Sequence, residues 1–154
     1  MTHEEFLQDL ERIRREIDDY ANDKAPDIIG TTAVNFFDQH FLKEGFINNG
    51  LNKWPDVKRR TEPEKNAPPS DKTRKILTKS GNLRRSLSHQ VLGNGKVEVS
   101  SDLPYAKAHN EGTSNAGRSR NVVIPKRQFI GDSIDLDKLA IEEIERKLKS
   151  LKKI

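Results

Sequence analysis

The stretch that decides the fold is LSHQVLGNGKVEVS, residues 87–100. Apolar and polar residues alternate on both sides of Gly93-Asn94-Gly95, and a period of two is typical of strands. A turn of Gly and Asn between two such runs is a strong signal for a hairpin. Residues 87–99 therefore predict an antiparallel β-hairpin in the middle of the chain.

Helical patterns lie on both sides of this hairpin, at the two ends of the chain. In residues 1–45, apolar residues recur at helical spacing, which predicts two helices or one helix broken near Ala25-Pro26. Thr2 followed by Glu5 is a capping-box signature for the start of this region. Residues 133–153 show a second helical spacing and predict a C-terminal helix.

Two segments lack a periodic pattern and are rich in Asn, Gly, Pro, Ser and basic residues. They are residues 48–75, a basic loop, and residues 113–120, a second loop that we expect to be exposed and mobile. Long loops in a small domain are commonly functional, and such segments often become ordered on binding. The candidate partner contacts in these loops are Lys58, Arg59, Arg60, Arg74, Lys75, Arg118 and Arg120.

The order of these elements indicates an α+β fold with long loops. One small antiparallel sheet is expected to pack against the N-terminal and C-terminal helices. The 154 residues suit one domain over 1–154. Within it we expect helices in 1–45, the basic loop in 48–75, a hairpin and strand region in 76–131, and the C-terminal helix in 133–153.

Charge is distributed unevenly along the chain. Residues 1–50 carry 5 basic and 11 acidic side chains, whereas residues 51–90 carry 11 basic and 4 acidic ones. These two segments can pair within one molecule or between neighbouring copies, where they would set the orientation of an assembly. A solvated surface of mixed charge accounts for the same composition.

Several classes of protein lack support in the sequence. There is no cysteine for a disulfide or a thiolate zinc site, and no apolar run long enough to span a membrane. The N-terminus lacks the layout of a signal peptide, so we expect synthesis in the cytosol. No Gly-x-Ser-x-Gly elbow is present, and His109 with Glu111 gives two metal ligands where zinc takes at least three. We expect neither an enzyme nor a bound cofactor or metal.

Three short motifs follow one another around the hairpin. Residues 76–87 are ILTKSGNLRRSL, residues 105–112 are YAKAHNEG, and residues 124–131 are IPKRQFIG. Their order and spacing resemble the Mu-like phage virion-morphogenesis family, with its patterns I-L-x-x-[ST]-G-x-L-R-x-S, [YF]-A-x-x-H-x-x-G and I-P-x-R-x-F-[IL]-G. Trp54 and Arg59-Arg60 also match the W-x-x-x-K-x-R feature that precedes the first motif.

One position departs from the family pattern. The family often has Gln or Glu and then Phe before the glycine of the second motif, where this chain has Asn110-Glu111. We expect the departure to leave the role of the motif unchanged. Tyr105 and Phe129 are expected to anchor the core. The matched positions, expected to hold the fold, are Trp54, Gly81, Leu83, Arg84, Ser86, Tyr105, Ala106, His109, Gly112, Pro125, Arg127, Phe129 and Gly131.

The resemblance implies a small structural protein that acts in tail completion or at the head–tail junction of a phage or prophage. It implies other tail or head–tail connector proteins as partners, and further copies of the same chain, since related proteins form rings that are often sixfold. Such a protein would be in the host cytoplasm during assembly and then in the tail of the virion. Contact of the basic loop with DNA would be secondary.

Two alternatives remain open from the residues alone. The first is a stand-alone nucleic-acid-binding module that uses the basic segment 53–85, whose clusters would neutralise phosphates. Against it, Trp54 is the only aromatic residue there that could stack on a base. The second is a small metal-dependent hydrolase or nuclease built on His109 and Glu111.

Overall fold

A continuous helical rod forms the N-terminal part of the chain in the computed structural model, which describes residues 1–151. Helix α1 (His3–Asp19) passes through a π-helical turn (Tyr20–Lys24) into helix α2 (Ala25–Lys43). The capping box is confirmed: Glu5 N donates to Thr2 Oγ1 at 3.2 Å, and Thr2 N donates to Glu5 Oε2 at 2.6 Å.

The interruption expected near Ala25-Pro26 is the π-turn, and the rod does not break there. Ala25 N donates to Tyr20 O, five residues back, as in a π-helix. Pro26, which has no N–H to donate, stands in the first turn of α2, directly after this π-turn. The chain therefore accommodates the proline by changing its hydrogen-bond register, and both helices continue on one path.

Within residues 1–151, six short strands form three separate antiparallel hairpins, so the α+β class is confirmed but the expected single sheet is wrong. In the central hairpin, Asn94 and Gly95 both have positive φ, 51° and 71°. This is the geometry of a type I′ turn, which matches the twist of paired strands. The strands are β1 (Gly45–Ile47), β2 (Leu51–Lys53), β3 (Leu87–Gly93), β4 (Lys96–Ser101), β5 (Thr113–Ala116) and β6 (Val122–Ile124).

The two predicted loops contain more regular structure than expected. The segment 48–75 holds β2 and two short helices, and the segment 113–120 begins with β5, which pairs with β6. The helical region 1–45 ends at Lys43, and the part of the C-terminal prediction at 152–153 lies outside the described residues. The remaining helices are α3 (Lys58–Thr61), α4 (Pro69–Thr73), α5 (Asn82–Arg85), α6 (Ala106–Glu111) and α7 (Ile134–Leu151).

The core lies between α2 and the irregular segments that follow it. Aromatic residues dominate it, and Phe41 meets Trp54 edge to face with ring centroids 5.7 Å apart. Phe41 also contacts Phe129, with centroids 5.2 Å apart. The buried apolar cluster comprises Ala33, Phe36, Phe37, Phe41, Phe46, Trp54, Ile76, Leu83, Leu87, Ala106 and Phe129.

His40 joins three parts of the fold from the centre of this core. It is fully buried, its Nδ1 donates to Phe129 O at 2.9 Å, and its Nε2 accepts from Ile47 N at 3.2 Å. Because Nε2 accepts a hydrogen bond from a backbone N–H, the ring is neutral with its proton on Nδ1. A single imidazole thus satisfies two backbone groups that no strand pairs.

Candidate functional site

Arg60 fastens the basic segment to the end of α2. Its guanidinium holds the Glu44 carboxylate in two bonds, Nη2 to Oε1 at 2.6 Å and Nη1 to Oε2 at 3.1 Å. Glu44 Oε1 also accepts from Ile76 N at 2.7 Å. These bonds, with that of Arg60 first, lower the pKa of the Glu44 carboxyl below its ordinary value. Arg60, predicted as a partner contact, is therefore engaged inside the chain.

Arg59 folds the same segment back on itself through backbone carbonyls. It donates to the oxygens of Asp71 at 2.9 Å, Arg74 at 2.7 Å and Lys75 at 3.1 Å. Burial lowers the pKa of the Arg59 guanidinium, and the charges of Arg74 and Arg60 lower it further. The positive charges of Arg59, Arg60 and Arg74 are thus held close together in this segment.

A pocket of about 300 Å³ opens where the residues after α4 meet α6. No Asp or Glu is among its lining residues. We call it the cationic pocket. Its walls combine four basic side chains with two leucines, two hydroxyl residues and two aromatic rings. They are Arg59, Arg74, Lys75, Lys79, Leu77, Leu83, Thr78, Ser80, Tyr105 and His109.

Arg127 adds a further cation beneath this pocket. It is buried, with 6% of its surface exposed, and it donates to Pro55 O at 3.0 Å and Asp56 O at 2.9 Å. Within residues 1–151 no carboxylate pairs with it. His109 stands beside it, and burial followed by the Arg127 charge lowers the pKa of the imidazole. Its Nδ1 is buried with no hydrogen-bond partner in the described chain.

The backbone of the pocket wall is strained at Leu77. Its φ is +59°, a left-handed conformation that costs a non-glycine residue about 1–2 kcal/mol. The flanking contacts keep it there, since Ile76 N bonds to Glu44 and Thr78 Oγ1 donates to Lys75 O at 2.7 Å. The strain places the Leu77 side chain in the lining of the cationic pocket.

Helix α1 presents an apolar stripe that the described residues 1–151 leave largely exposed. None of its residues is buried, and the exposed fractions of Phe6, Leu7, Leu10 and Ile17 lie between 38% and 47%. In its last turn, Ile17 meets α7 across a small apolar cavity. An apolar stripe of this length on a surface usually marks a contact with another molecule.

The motif residues fall into two groups. Trp54, Leu83, Ala106 and Phe129 are buried and hold the core, as expected. Tyr105 does not: 41% of it is exposed, and its ring stands edge-on to His109 in the lining of the cationic pocket. Its expected role as a core anchor is wrong, because α6 turns it away from the aromatic cluster.

Other motif residues stabilise turns and connections. Arg84 binds Asp38 of α2 with two hydrogen bonds, and Ser86 Oγ lies 2.6 Å from Ser101 Oγ. Gly81 has a φ of +69° at the start of α5. Gly112 has a φ of +77°, and a Cβ there would lie 2.8 Å from Lys126 N. Pro125 and Gly131 follow β6, where Pro125 is exposed and Gly131 is half-buried.

The predicted contact residues are only partly brought together. Arg59, Arg74 and Lys75 line the cationic pocket, and Lys58 is exposed on α3. Arg118 and Arg120 are exposed in the turn between β5 and β6 and do not contribute to that pocket. Lys79, which belongs to the basic segment 53–85, also lines this pocket.

Asn110 and Asp38 also have roles that the sequence did not suggest. Asn110 Oδ1 accepts from Phe129 N at 2.8 Å and Ile130 N at 2.9 Å. Asp38 is the partner of Arg84, 46 residues away. In the described part of the chain, no three His, Asp or Glu side chains are placed to hold a metal ion. No helix in that part is long and apolar enough to cross a membrane.

The described residues of this small α+β chain thus present an exposed apolar stripe on α1 and a cationic pocket. A model of the phage virion morphogenesis family matches residues 8–149, and the chain belongs to that family. No curated protein and no solved structure matches it significantly. Membership indicates a structural or assembly role in a phage, association with the virion and interaction with other virion proteins. Families of this kind are generally structural and not enzymatic.

Proposed function

We propose that this chain is a non-enzymatic assembly protein of a phage or prophage tail. It acts as a single domain in tail completion or at the head–tail junction, through contacts between its own copies and with other tail or connector proteins. Assembly takes place in the host cytoplasm, and the protein then remains in the tail. The residues of the fold motifs support the surfaces that make these contacts.

The observation that carries this proposal is the uncovered stripe of α1. Exposed apolar surface costs about 25 cal/mol per Å² relative to burial, and Phe6, Leu7 and Leu10 are each nearly half exposed. Since residues 1–151 leave these side chains exposed, contact with another molecule would gain this free energy. If α1 of one copy contacts a different surface of the next copy, the same contact can repeat from copy to copy and close into a ring.

The test is the mass of the protein in solution, with one variant in the stripe and one outside it. We expect wild type to form oligomers in sedimentation velocity and Leu10→Asp to shift it toward monomer by at least about tenfold in dissociation constant, since an interface charge would be buried. Gln8→Asp, on the opposite face of α1, adds the same charge and should leave the mass unchanged.

The same variants test the role in the phage. In a phage that lacks the gene, wild-type protein and Gln8→Asp should restore complete tails in electron micrographs, and Leu10→Asp should not. A wild-type chain that remains monomeric at every concentration, together with complete tails in its absence, contradicts the proposal.

A second candidate is the stand-alone nucleic-acid-binding module on segment 53–85. The cationic pocket favours it, because its cations have no acidic neighbour in the lining. Arg59 and Arg60 weigh against it, since both bind groups of their own chain. It requires DNA or RNA affinity that falls steeply with salt, and that is lost in Arg74→Glu/Lys75→Glu. Fluorescence anisotropy with labelled duplex and single strands measures both.

A further inference from the structure

We propose that the cationic pocket receives helix α1 of a second copy of this chain. Acidic side chains of α1 would pair with the pocket cations, and its apolar stripe would cover Leu77 and the ring of Tyr105. The inference rests on the proposed self-assembly, and it adds the surface on which two copies meet.

The pocket side of this contact has more positive charge than its own chain neutralises. Arg74 pairs with Asp71 at 2.8 Å, but Lys75 and Lys79 have no ion-pair partner among residues 1–151. Behind them, Arg59 and Arg127 bind only backbone carbonyls. Buried or crowded cations without a counter-ion raise the free energy of the folded chain. An anionic group from another molecule would lower it.

The chemistry of the lining also specifies what kind of anion fits. Leu77, which is half-buried, contributes an apolar side chain to a lining that also carries four basic side chains. His109 Nδ1 is buried beside them without a hydrogen-bond partner in the described chain. A free phosphate ion would leave Leu77 and the exposed ring of Tyr105 uncovered. An acidic segment with its own apolar side chains covers these two side chains and pairs with the cations together, as the core and rim of protein interfaces do.

Helix α1 has the complementary pattern. The stripe through Phe6, Leu10 and Ile17 follows helical spacing, and carboxylates flank it on both sides. Residues 3–19 contain seven acidic and three basic side chains. One flank carries Glu11 and Asp18, seven residues apart, and the other carries Glu5, Asp9 and Glu16.

The carboxylates of α1 are available for a new partner. Glu4 has no ion pair within the described residues, and the pairs Glu11–Arg15 at 4.0 Å and Asp18–Arg14 at 3.7 Å are exposed. Exposed pairs of this kind contribute about 0–1 kcal/mol, so exchanging them costs little. Within one molecule α1 contributes no residue to the lining of the pocket. The charges of α1 and of the cationic pocket can therefore pair only between two copies of the chain.

The experiment reverses charge on each surface in the full-length chain. The arm-reversed variant, in which the arm is helix α1, is Glu11→Lys/Asp18→Lys, which leaves the Thr2–Glu5 capping box intact. The pocket-reversed variant is Lys75→Glu/Lys79→Glu. We expect each alone to weaken self-association at least tenfold in sedimentation velocity. Lys96→Glu/Lys138→Glu makes the same charge change at exposed sites outside the pocket and should leave it unchanged. Thermal unfolding monitors that all variants remain folded.

Mixing the two reversed variants gives the sharper result. An equal mixture contains wild-type arms with wild-type pockets and reversed arms with reversed pockets, so we expect it to assemble although neither variant does alone. A chain that carries both reversals should also assemble. If α1 instead pairs with α1 of another copy, the pocket-reversed variant assembles like wild type, and the inference is wrong.

Failure of this inference is distinguishable from failure of the proposed function. Wild-type oligomers that neither reversal weakens overturn the docking of α1 in the pocket and leave self-assembly standing. A monomeric wild type overturns both. Loss of DNA binding in the pocket-reversed variant, with unchanged self-association, would show that the pocket receives nucleic acid and not α1.

Discussion

Asn110 joins α6 to the segment around Phe129 through three hydrogen bonds. Its Oδ1 accepts from two consecutive backbone N–H groups, and its Nδ2 donates to Ile130 O at 3.1 Å. Neither N–H has a strand partner, so the Asn110 side chain supplies the acceptor that a neighbouring strand would otherwise supply. This is the position at which the sequence departs from the family pattern, and in this chain the amide fixes the backbone on which Phe129 enters the core.

We predict that Asn110→Leu lowers the free energy of unfolding by about 2–4 kcal/mol. The substitution leaves two half-buried N–H groups and one carbonyl without partners, and each unsatisfied group costs about 1–3 kcal/mol. Urea denaturation at neutral pH measures the change. The control is Glu111→Gln on the exposed side of α6, which should change stability by less than about 0.5 kcal/mol. Equal effects of the two substitutions would contradict this account.

Single residues also explain why the structure brings together only some of the predicted contact residues. The run at 58–60 is basic in the sequence, and basic runs are usually solvated. Arg60 is instead held by Glu44, whose φ is +54°, a conformation that few non-glycine residues adopt. No local sequence pattern predicts a left-handed backbone conformation at a glutamate. The internal pairing of Arg60 therefore could not be predicted without the fold.

At the scale of elements, α2 and the β3–β4 hairpin meet at Gly30. A Cβ at this position would lie 2.5 Å from His89 Cγ and 2.8 Å from Val97 Cγ2. Asp27, which belongs to α2 like Gly30, fixes the His89 ring, with His89 Nε2 and Asp27 Oδ1 2.8 Å apart. The absence of a side chain at Gly30 is what allows the helix and the hairpin to approach this closely.

Gly30→Ala should therefore destabilise the protein, although alanine favours helices by about 1 kcal/mol over glycine. Overpacking at a close contact costs about 1–3 kcal/mol, and we expect a net loss of about 1–2 kcal/mol from these opposing effects. The measurement is the urea midpoint. Thr31→Ala, on the exposed face one residue later, should leave the midpoint unchanged or raise it slightly. A Gly30→Ala chain more stable than wild type would show that the hairpin moves freely on α2.

The elements that could be predicted are those with a long periodic pattern. Helices at the two ends and the β3–β4 hairpin extend over enough residues for a period to show. The hairpins β1–β2 and β5–β6 have strands of only three or four residues, too short for alternation to be recognised. Their pairing depends on tight turns and on contacts with distant residues, such as the bond from Ser133 Oγ to Ile47 O at 2.8 Å.

At the scale of the whole molecule, the fold depends on a neutral imidazole at its centre. Burial lowers the pKa of His40 in the folded chain; the bond to Phe129 opposes this shift, and Lys43 adds to it. In the unfolded chain a histidine titrates near 6.5. As the pH falls below about 6.5, the unfolded state takes up a proton that the folded state resists. Stability present above this pH is therefore lost as the pH falls toward the lower, folded pKa.

We predict that the free energy of unfolding decreases from about pH 7.5 to about pH 5.5. The decrease should approach at most about 1.4 kcal/mol per pH unit for His40, and His109, whose pKa is lowered in the same direction, adds to it. His40→Gln should flatten this dependence even if it lowers stability overall, and His3→Gln at the exposed N-terminus should not. An unchanged slope in His40→Gln would refute the assignment.

The π-turn at Tyr20–Lys24 governs which changes of length the N-terminal rod tolerates. An α-helix rotates by about 100° per residue, so the residues between Ile17 and Ala25 set the direction in which one half of the rod faces relative to the other. Removing one residue there would keep both helices intact and turn the stripe of α1 away by roughly a quarter of a revolution. Extending the free end of α1 by whole turns would leave that direction unchanged. The N-terminal rod can thus vary in length, but the direction that the α1 stripe faces relative to α2 is fixed.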